Sequence, residues 1–264
     1  MGLVSLIGLS LASCSDDDDA PMVPESVSEP TTENVFPEGL PSNAAGATFT
    51  TNEKGQVTKI EDGSSNITFE YGSFTPSRAH NFTVLMKERD TISPNEGHDI
   101  YMELNQQGFV SYAYEVYLSG KEADEWWFEY NTDGQLTRVK RSENEEEFNI
   151  TYTNGDITKV TDDEVDGKNR KHKEYSFIYT NDEYKNVVAN KGGIMLFDEI
   201  FRVQLDELEI AYFAGLLGKA SKNLPMGYSQ NSYNETYHWI LNSDNLPTKF
   251  WSNSDPTGIT FSWK

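Results

Sequence analysis

The sequence contains a single cysteine, Cys14, among 264 residues. One thiol cannot form a disulfide within the chain, and it cannot supply the cluster of thiolates that holds a metal ion. We therefore expect neither an internal disulfide nor a cysteine-based metal site.

Positive charge is also scarce. The chain has 21 Lys and Arg against 43 Asp and Glu, which gives a formal net charge of -22. A phosphate backbone would be repelled by such a surface rather than neutralised. The composition therefore predicts that nucleic acid is not a partner.

Recognisable catalytic and cofactor motifs are missing too. We find no Gly-x-Ser-x-Gly elbow, no Walker loop and no dinucleotide fingerprint. The histidines are far apart in the sequence, as surface or sheet residues would be: His80, His98, His172 and His238. The stretch that begins at Asp162 resembles half of a calcium loop, but Lys173 stands where a bidentate Glu is required, so an acidic hairpin loop is favoured. The sequence predicts no catalytic residue, no metal and no cofactor.

Long apolar runs are absent as well. The run at residues 3–11 is shorter than the about 20 residues that cross a bilayer as a helix. It leads into Leu11-Ala12-Ser13-Cys14, which resembles the lipobox of a bacterial lipoprotein signal peptide, although no Lys or Arg precedes the run. The resemblance implies that residues 1–13 are a signal peptide and that Cys14 is the lipidated first residue of the mature chain.

The residues after the cysteine resemble the acidic export signal that sends lipoproteins to the surface of some Gram-negative gut bacteria: Ser15, Asp16, Asp17, Asp18 and Asp19. A solvated tether is the alternative. Residues 14–46 are rich in Pro, Glu, Ser and Thr, and we predict a disordered acidic tether there. These features indicate an outer-membrane protein that faces the cell surface, with the periplasmic face as the alternative.

Residues 47–264 are predicted to form a single β domain. The pattern is clearest at residues 126–160, where one unit occurs twice: an aromatic strand ending in Tyr, a turn closed by Gly, and a return strand of the form aliphatic-Thr-basic-aliphatic. Asp-Gly and Asn-Gly supply the positive φ that a tight hairpin needs. Residues 49–60 contain a looser copy of the same hairpin.

Alternating segments along the domain predict about fifteen short strands in an antiparallel meander. Strands of about five to seven residues are shorter than the nine to eleven that a membrane barrel requires, and their outward faces carry Thr, Lys, Glu and Asn. The predicted fold is therefore mainly β and soluble, with a highly curved or barrel-like sheet.

One segment departs from the strand pattern. Near residues 197–216 the apolar residues recur at spacings of three and four, which predicts one inserted α-helix: Phe201, Leu205, Leu208, Tyr212 and Leu216. Such a helix must bury its apolar stripe against the sheet. We expect it to plug or cap the concave face, so that a ligand site is confined to the rim or the loops.

The hairpins contain one irregularity. Leu136 and Val139 are three residues apart, as are Ile157 and Val160, and strict alternation would place each pair on opposite faces. Either a β-bulge follows each turn or both faces are partly covered.

The Tyr-x-x-x-Gly-x-Leu-Thr-Arg-Val unit and the Gly215-Leu-Leu-Gly218-Lys219 run within residues 211–225 carry a family resemblance. Together they resemble an uncharacterised family of bacterial lipoproteins described as having a porin-like fold. The resemblance covers residues 47–264 and implies a wide, highly curved antiparallel sheet around the helical segment. It implies no activity and no functional residue.

Aromatic side chains give the one hint of a ligand. Trp126 and Trp127 are adjacent in a strand and point to opposite faces, so one of them is either covered or exposed as a stacking platform of the kind that sugars use. Trp251 shares this ambiguity. We expect a monomeric, non-catalytic binding or structural module with a glycan or protein ligand. The alternative is a hydrolase of surface polysaccharide, which the abundant carboxylates leave open.

Overall fold

A computed structural model describes residues 28–76, 80–120 and 123–264. The predictions for the signal peptide, for Cys14 and for the export signal fall outside these residues. Within the described ranges the chain forms eighteen β-strands and three 3₁₀ helices. No helix in these ranges is long and apolar enough to span a bilayer.

The strands are β1 (Asn43–Ala44), β2 (Ala47–Thr51), β3 (Val57–Glu61), β4 (Ser65–Phe74), β5 (Phe82–Asp90), β6 (Gly97–Leu104), β7 (Val110–Tyr117), β8 (Ala123–Tyr130), β9 (Leu136–Arg141), β10 (Glu147–Thr153), β11 (Asp156–Asp166), β12 (Asn169–Ile178), β13 (Val188–Ala189), β14 (Asn223–Leu224), β15 (Gly227–Gln230), β16 (Tyr233–Leu241), β17 (Pro247–Ser252) and β18 (Ile259–Ser262). The 3₁₀ helices cover Thr32–Asn34, Glu143–Glu145 and Asp206–Tyr212.

Sixteen of the described strands form one closed antiparallel barrel. Neighbours in sequence pair from β2 to β12, and β12 then pairs with β15. Strand β1 pairs with both β2 and β18 and so closes the barrel. Strands β13 and β14 form a separate two-stranded sheet. The predicted mainly β, barrel-like antiparallel meander is confirmed. The predicted strand length of about five to seven residues was wrong for β4, β5, β11, β12 and β16, which have nine to eleven residues.

The chain between β12 and β15 fills the barrel. We call residues 190–226 the plug. Its apolar side chains are buried against the inward faces of the strands, as where Phe201 packs on Phe177 of β12 and Phe213 on Phe49 of β2. Barrels of sixteen to eighteen strands enclose an aqueous channel in porins. In this barrel an apolar core occupies the interior.

The helical segment is shorter and tighter than the α-helix predicted near residues 197–216. Over these residues, all of which the structure describes, the regular helix is the seven-residue 3₁₀ helix Asp206–Tyr212, and turns precede it. Arg202 and Asp206 adopt left-handed φ values of 59° and 47°, which interrupt a continuous helix. The five residues of the predicted stripe are nevertheless all buried. The expectation that this segment fills the concave side is confirmed.

β-Bulges explain the irregular hairpin spacing. The register of β8 against β9 shifts at Glu129/Tyr130, and that of β10 against β11 shifts at Thr151/Tyr152. The extra residue in each return strand lets Leu136 and Val139 both face the interior, where both are buried. The first alternative from the sequence is therefore confirmed.

Four of the described hairpins use the same turn. In each, an Asn side chain accepts hydrogen bonds from the backbone N–H groups two and four residues later: Asn52, Asn105, Asn131 and Asn242. Because successive antiparallel connections alternate between the ends of the barrel, these turns share one end, which we call the Asn-turn end. The β5–β6, β7–β8, β9–β10 and β11–β12 turns lie at the opposite end, which we call the acidic end.

The barrel domain begins before residue 47, so the predicted boundary of the tether was wrong. Val35 and Phe36 are buried in the core, and the Phe36 ring stacks on Phe213 at a centroid distance of 6.0 Å. Strand β1 then closes the barrel. The Pro-, Glu- and Thr-rich composition around these residues obscured the two apolar side chains that anchor the segment.

Candidate functional site at the acidic end

The barrel interior changes from apolar to charged at the acidic end. On β5 the inward side chains run Val84, Met86, Glu88, and on β6 the inward row of Ile100 and Met102 starts at His98. Further inward charges follow around the wall: Glu115 on β7, Asp124 on β8, Arg141 on β9, Asp162 on β11 and Lys173 on β12. Several neighbouring strands therefore carry an ionisable residue at an inward position near this end.

Glu115 is the most deeply buried carboxylate of this group, with 1% of its side chain exposed. Its Oε2 accepts a hydrogen bond from the indole Nε1 of Trp126 at 3.1 Å. Its Oε1 lies 2.7 Å from Nδ1 of His98, and Nε2 of His98 lies 3.5 Å from Oε1 of Glu207 in the plug. The imidazole thus stands between a wall carboxylate and a plug carboxylate.

Negative charge exceeds positive charge around His98. Burial is the largest cause that raises the pKa of Glu115, and the charge of Glu207 raises it further, against the lowering effects of Trp126, His98 and Arg141. Burial likewise raises the pKa of Glu88, and Glu207 again adds to it. Both carboxylates therefore hold protons more readily than exposed ones do.

Arg141 ties the plug to the barrel wall. Its guanidinium contacts Asp124 at 3.1 Å and Glu143 at 2.6 Å, and it also donates to Asp206, the first residue of the plug helix. It lies 4.6 Å from the ring centroid of Trp126. This contact fixes the backbone next to Glu207, so the position of Glu207 depends on strand β9.

Two further acidic residues lie beside this cluster. Burial and the charge of Asp162 raise the pKa of Glu146 to about 7. Lys173 Nζ donates to Asp162 Oδ2 at 2.7 Å across the β11–β12 hairpin. The stretch that resembled half of a calcium loop is therefore part of a strand pair.

The tryptophans predicted from the sequence are not brought together. Trp126 is fully buried inside the barrel, which removes it from the surfaces that a ligand can reach. Trp127 faces outward from β8 and is 38% exposed. Trp251 lies on β17, with six strands between it and β8 in the barrel order, and His238 is stacked on it at 5.1 Å. Trp127 and Trp251 would therefore form two separate stacking surfaces for a ligand.

A cavity of about 660 Å³ lies near the Asn-turn end of the barrel. It is lined by the described N-terminal residues and by β3–β5, including Glu29, Lys54, Gln56 and Tyr71. Lys54 and Glu29 pair across it at 3.1 Å, and both side chains are well exposed. It lacks the buried carboxylates that distinguish the acidic end.

Sequence reasoning did not nominate Glu88, Glu115 or Glu207, and it assigned His98 to the satisfied histidines. One signal was available. Side chains of a strand alternate between its two faces, so Glu88 points inward with Val84 and Met86, and His98 points inward with Ile100. A charged residue at an inward position therefore marks a specialised end of the barrel.

The protein is a closed antiparallel β-barrel whose interior is filled by the apolar plug. The chain belongs to the family of the domain of unknown function DUF4595, described as having a porin-like fold, whose model matches residues 49–255. The resemblance to an uncharacterised family with a porin-like fold is thereby confirmed.

Two crystal structures show a similar fold. A porin-like protein from Bacteroides uniformis ATCC 8492 has a TM-score of 0.56 and 17% identity, over 83% of this chain and 90% of that chain. A porin-like protein from Bacteroides vulgatus ATCC 8482 has a TM-score of 0.54 and 11% identity, over 86% of this chain and 99% of that chain. At these identities the likeness concerns the fold alone. No curated protein matches the chain.

Proposed function

We propose that the protein is a lipid-anchored lipoprotein of the outer membrane, exposed at the cell surface, whose barrel is a non-catalytic binding or structural module. The observation that carries the proposal is the charged outer wall of the barrel. A charged wall of this kind favours contact with water over contact with lipid. In this proposal an acyl chain on Cys14, and not the barrel, attaches the protein to the membrane.

Cross-strand ion pairs recur around the outer wall. Lys87 on β5 pairs with Glu70 on β4 at 2.5 Å, and Lys159 on β11 pairs with Glu174 on β12 at 2.6 Å. Arg138 on β9 pairs with glutamates of both neighbouring strands. A Lys or Arg on the lipid face of a membrane barrel costs about 2–4 kcal/mol at the bilayer midplane. Several such residues on one wall therefore argue for a barrel outside the bilayer.

The plug supports a role other than transport. Apolar residues of the plug and of the strands occupy the interior together, and they form one continuous core. A permeation pathway would need a polar, water-filled lumen, as porins have. A binding surface would consequently lie on the outer wall or at the ends.

The exposed face of Trp127 is the best-supported ligand surface. Its indole lies in a shallow groove with Glu129, Arg138 and Lys140, and Lys140 Nζ is 5.9 Å from the ring centroid. An aromatic face bordered by charged groups provides both stacking and hydrogen bonding, which suits a glycan. A protein ligand is the other candidate for the same groove.

The hydrolase alternative would draw on the carboxylates of the acidic end. The raised pKa of Glu115 suits a general acid. Its side chain is however only 1% exposed and is held by Trp126, so a sugar could not reach it without opening the barrel. This burial favours the non-catalytic module.

Membrane fractionation tests the anchor. The substitution Cys14→Ala should move the protein from the membrane to the soluble fraction, because acyl chains and not apolar sequence hold it there. Changing Asp16, Asp17, Asp18 and Asp19 to Ala should leave the protein membrane-bound but protected from external protease. Retention of the Cys14→Ala protein in membranes would contradict the anchor, and unchanged protease sensitivity of the aspartate variant would contradict the export signal.

A further inference from the structure

We propose that Glu88, His98 and Glu207 form a binding site for a divalent transition-metal ion of the zinc class at the acidic end of the barrel. Each residue offers one ligand atom, and the three atoms all lie within 4.8 Å of one another. The residues come from β5, from β6 and from the plug helix, so an ion at this point would join two wall strands to the plug.

The spacing suits ligands of one ion better than a hydrogen bond. Nε2 of His98 and Oε1 of Glu207 are 3.5 Å apart. Two ligands that each lie about 2.1 Å from a tetrahedral ion are separated by about 3.4 Å. The pair needs only a small adjustment to share an ion.

Glu115 lies close enough to orient the histidine for this role. Histidines that bind metals almost always direct their second ring nitrogen to a carboxylate, a backbone carbonyl or water, which fixes the ring and raises its basicity. Nδ1 of His98 lies 2.7 Å from Oε1 of Glu115, but the two groups are not aligned for a hydrogen bond, so a small rotation of the ring is needed for Glu115 to accept from it. Trp126 holds the other oxygen of Glu115, so the carboxylate that faces His98 is itself fixed.

The Glu88 carboxyl, whose pKa is raised by burial and lowered in part by a hydrogen bond with the Ser65 side chain, has one oxygen available to a cation. Oε2 of Glu88 is buried and has no hydrogen-bond partner among the described residues. A buried polar atom without a partner costs about 1–3 kcal/mol, more when it is charged. A cation between Glu88 and Glu207 would satisfy this oxygen and offset the repulsion between the two carboxylates.

The site is both positioned and accessible. Asp206, at a left-handed φ of 47°, accepts from Arg141 and so fixes the start of the helix that carries Glu207. The side chains of His98 and Glu207 are 15% and 33% exposed, which leaves a path for an ion from solvent.

The ligand set selects the class of metal. Calcium and magnesium take oxygen ligands, whereas imidazole suits zinc, copper, iron and nickel. One imidazole nitrogen with two carboxylate oxygens matches the nitrogen and oxygen ligands of zinc, and three protein ligands leave a fourth position for water.

The test uses the full chain with Cys14→Ala, which also removes the thiol as a competing ligand. The metal-stripped protein is titrated with ZnCl₂ by calorimetry, and with CoCl₂ by visible absorption, which reports the coordination geometry. We expect one zinc ion per chain, a melting temperature that rises by several degrees in its presence, and displacement of cobalt by zinc.

Matched variants identify the ligands. His98→Ala and Glu207→Gln should each weaken zinc binding at least tenfold, and Glu115→Gln should weaken it 10- to 100-fold as the loss of an orienting partner does. His172→Ala is the control, because His172 also contacts a carboxylate, Asp163 at 2.8 Å, but is 56% exposed on the outer surface. It should bind zinc as the parent protein does. Circular dichroism without metal verifies that each variant is folded.

Two outcomes would overturn the site. One is weak binding of several zinc ions by exposed carboxylates only, with no component near one per chain. The other is binding that survives in folded His98→Ala and Glu207→Gln proteins but is lost when Asp16, Asp17, Asp18 and Asp19 are changed to Ala. The proposal is independent of the lipid anchor, since Cys14 is absent from the protein used.

Discussion

The backbone N–H of Lys219 donates a hydrogen bond to the carbonyl oxygen of Gly134 at 2.8 Å, so the plug contacts the β8–β9 turn backbone to backbone. Gly218 makes this approach possible. It has a φ of 84°, and a Cβ at this position would lie 2.7 Å from the same carbonyl oxygen and 2.8 Å from Cε1 of Tyr130. The Gly-Leu-Leu-Gly-Lys run that carried the family resemblance is therefore explained by close packing of the plug.

Gly218→Ala should destabilise the protein more than Gly55→Ala does. Gly55 has a similar φ of 77°, but no atom lies within 4 Å of the position of its Cβ. Both substitutions carry the left-handed backbone cost of about 1–2 kcal/mol, whereas only Gly218→Ala adds a backbone clash of about 1–3 kcal/mol. Urea unfolding of both variants measures the difference. Equal losses of unfolding free energy in the two variants would show that the plug can shift to accommodate a Cβ at residue 218, and that the contact with Gly134 does not require glycine there.

Local chemistry explains why the hairpins could be predicted. A turn such as Asn131-Thr-Asp-Gly134 needs only an Asn that accepts from its own backbone and a Gly at positive φ, and both are visible in sequence. Inward and outward faces follow from alternation once the bulge is placed. The barrel wall is therefore largely encoded in segments of about ten residues.

The plug and the acidic end could not be predicted in the same way. Phe201, Leu205 and Leu208 are buried because the plug is surrounded by core on many sides, and such a segment needs no regular helix to bury its apolar residues. Glu88, His98 and Glu207 are separated by up to 119 positions (207 minus 88) and meet only because the barrel closes around the plug. Their proximity is a property of the tertiary fold.

Trp127→Ala should abolish glycan binding while leaving the fold intact. Trp127 faces outward and lies outside the apolar core, but its ring packs on Tyr112 at a centroid distance of 5.8 Å, so we expect the variant to stay folded with a stability loss of about 1–2 kcal/mol. Affinity electrophoresis in gels that contain mucin O-glycans, xylan or mannan measures binding as retarded migration. The parent protein should be retarded by at least one of these glycans, and Trp127→Ala should migrate freely.

Trp251→Ala is the matched control for this experiment. Its indole is already stacked on His238 and has Lys249 Nζ 5.6 Å from its centroid, on the far side of the barrel. It should keep the retardation seen for the parent protein. Loss of binding in Trp251→Ala alone would move the ligand surface to β17, and free migration of the parent protein in all three gels would leave the protein ligand as the proposal for the groove.

The half-buried carboxyl of Glu209 gives the plug a pH dependence. Its Oε1 accepts a hydrogen bond from the backbone N–H of Phe197 at 2.6 Å. Burial, followed by the charge of Glu199, raises the pKa of Glu209 to about 8 from an ordinary value of 4.5. The folded protein therefore keeps a proton on Glu209 between about pH 4.5 and pH 8, where the unfolded chain has released it.

The raised pKa of Glu209 stabilises the folded protein fully below about pH 4.5. This stabilisation decreases as the pH rises above 4.5, and it is lost once the pH passes 8, where Glu209 ionises in the folded protein as well. Glu209→Gln cannot ionise, yet its amide oxygen can still accept from Phe197. We expect the free energy of unfolding, measured by urea denaturation from pH 5 to pH 8.5, to fall less with pH in Glu209→Gln than in the parent protein. Glu53→Gln, at an exposed position in the β2–β3 turn, should follow the parent curve. If Glu209→Gln also follows it, Glu209 is ionised in the folded protein and the plug accommodates its charge.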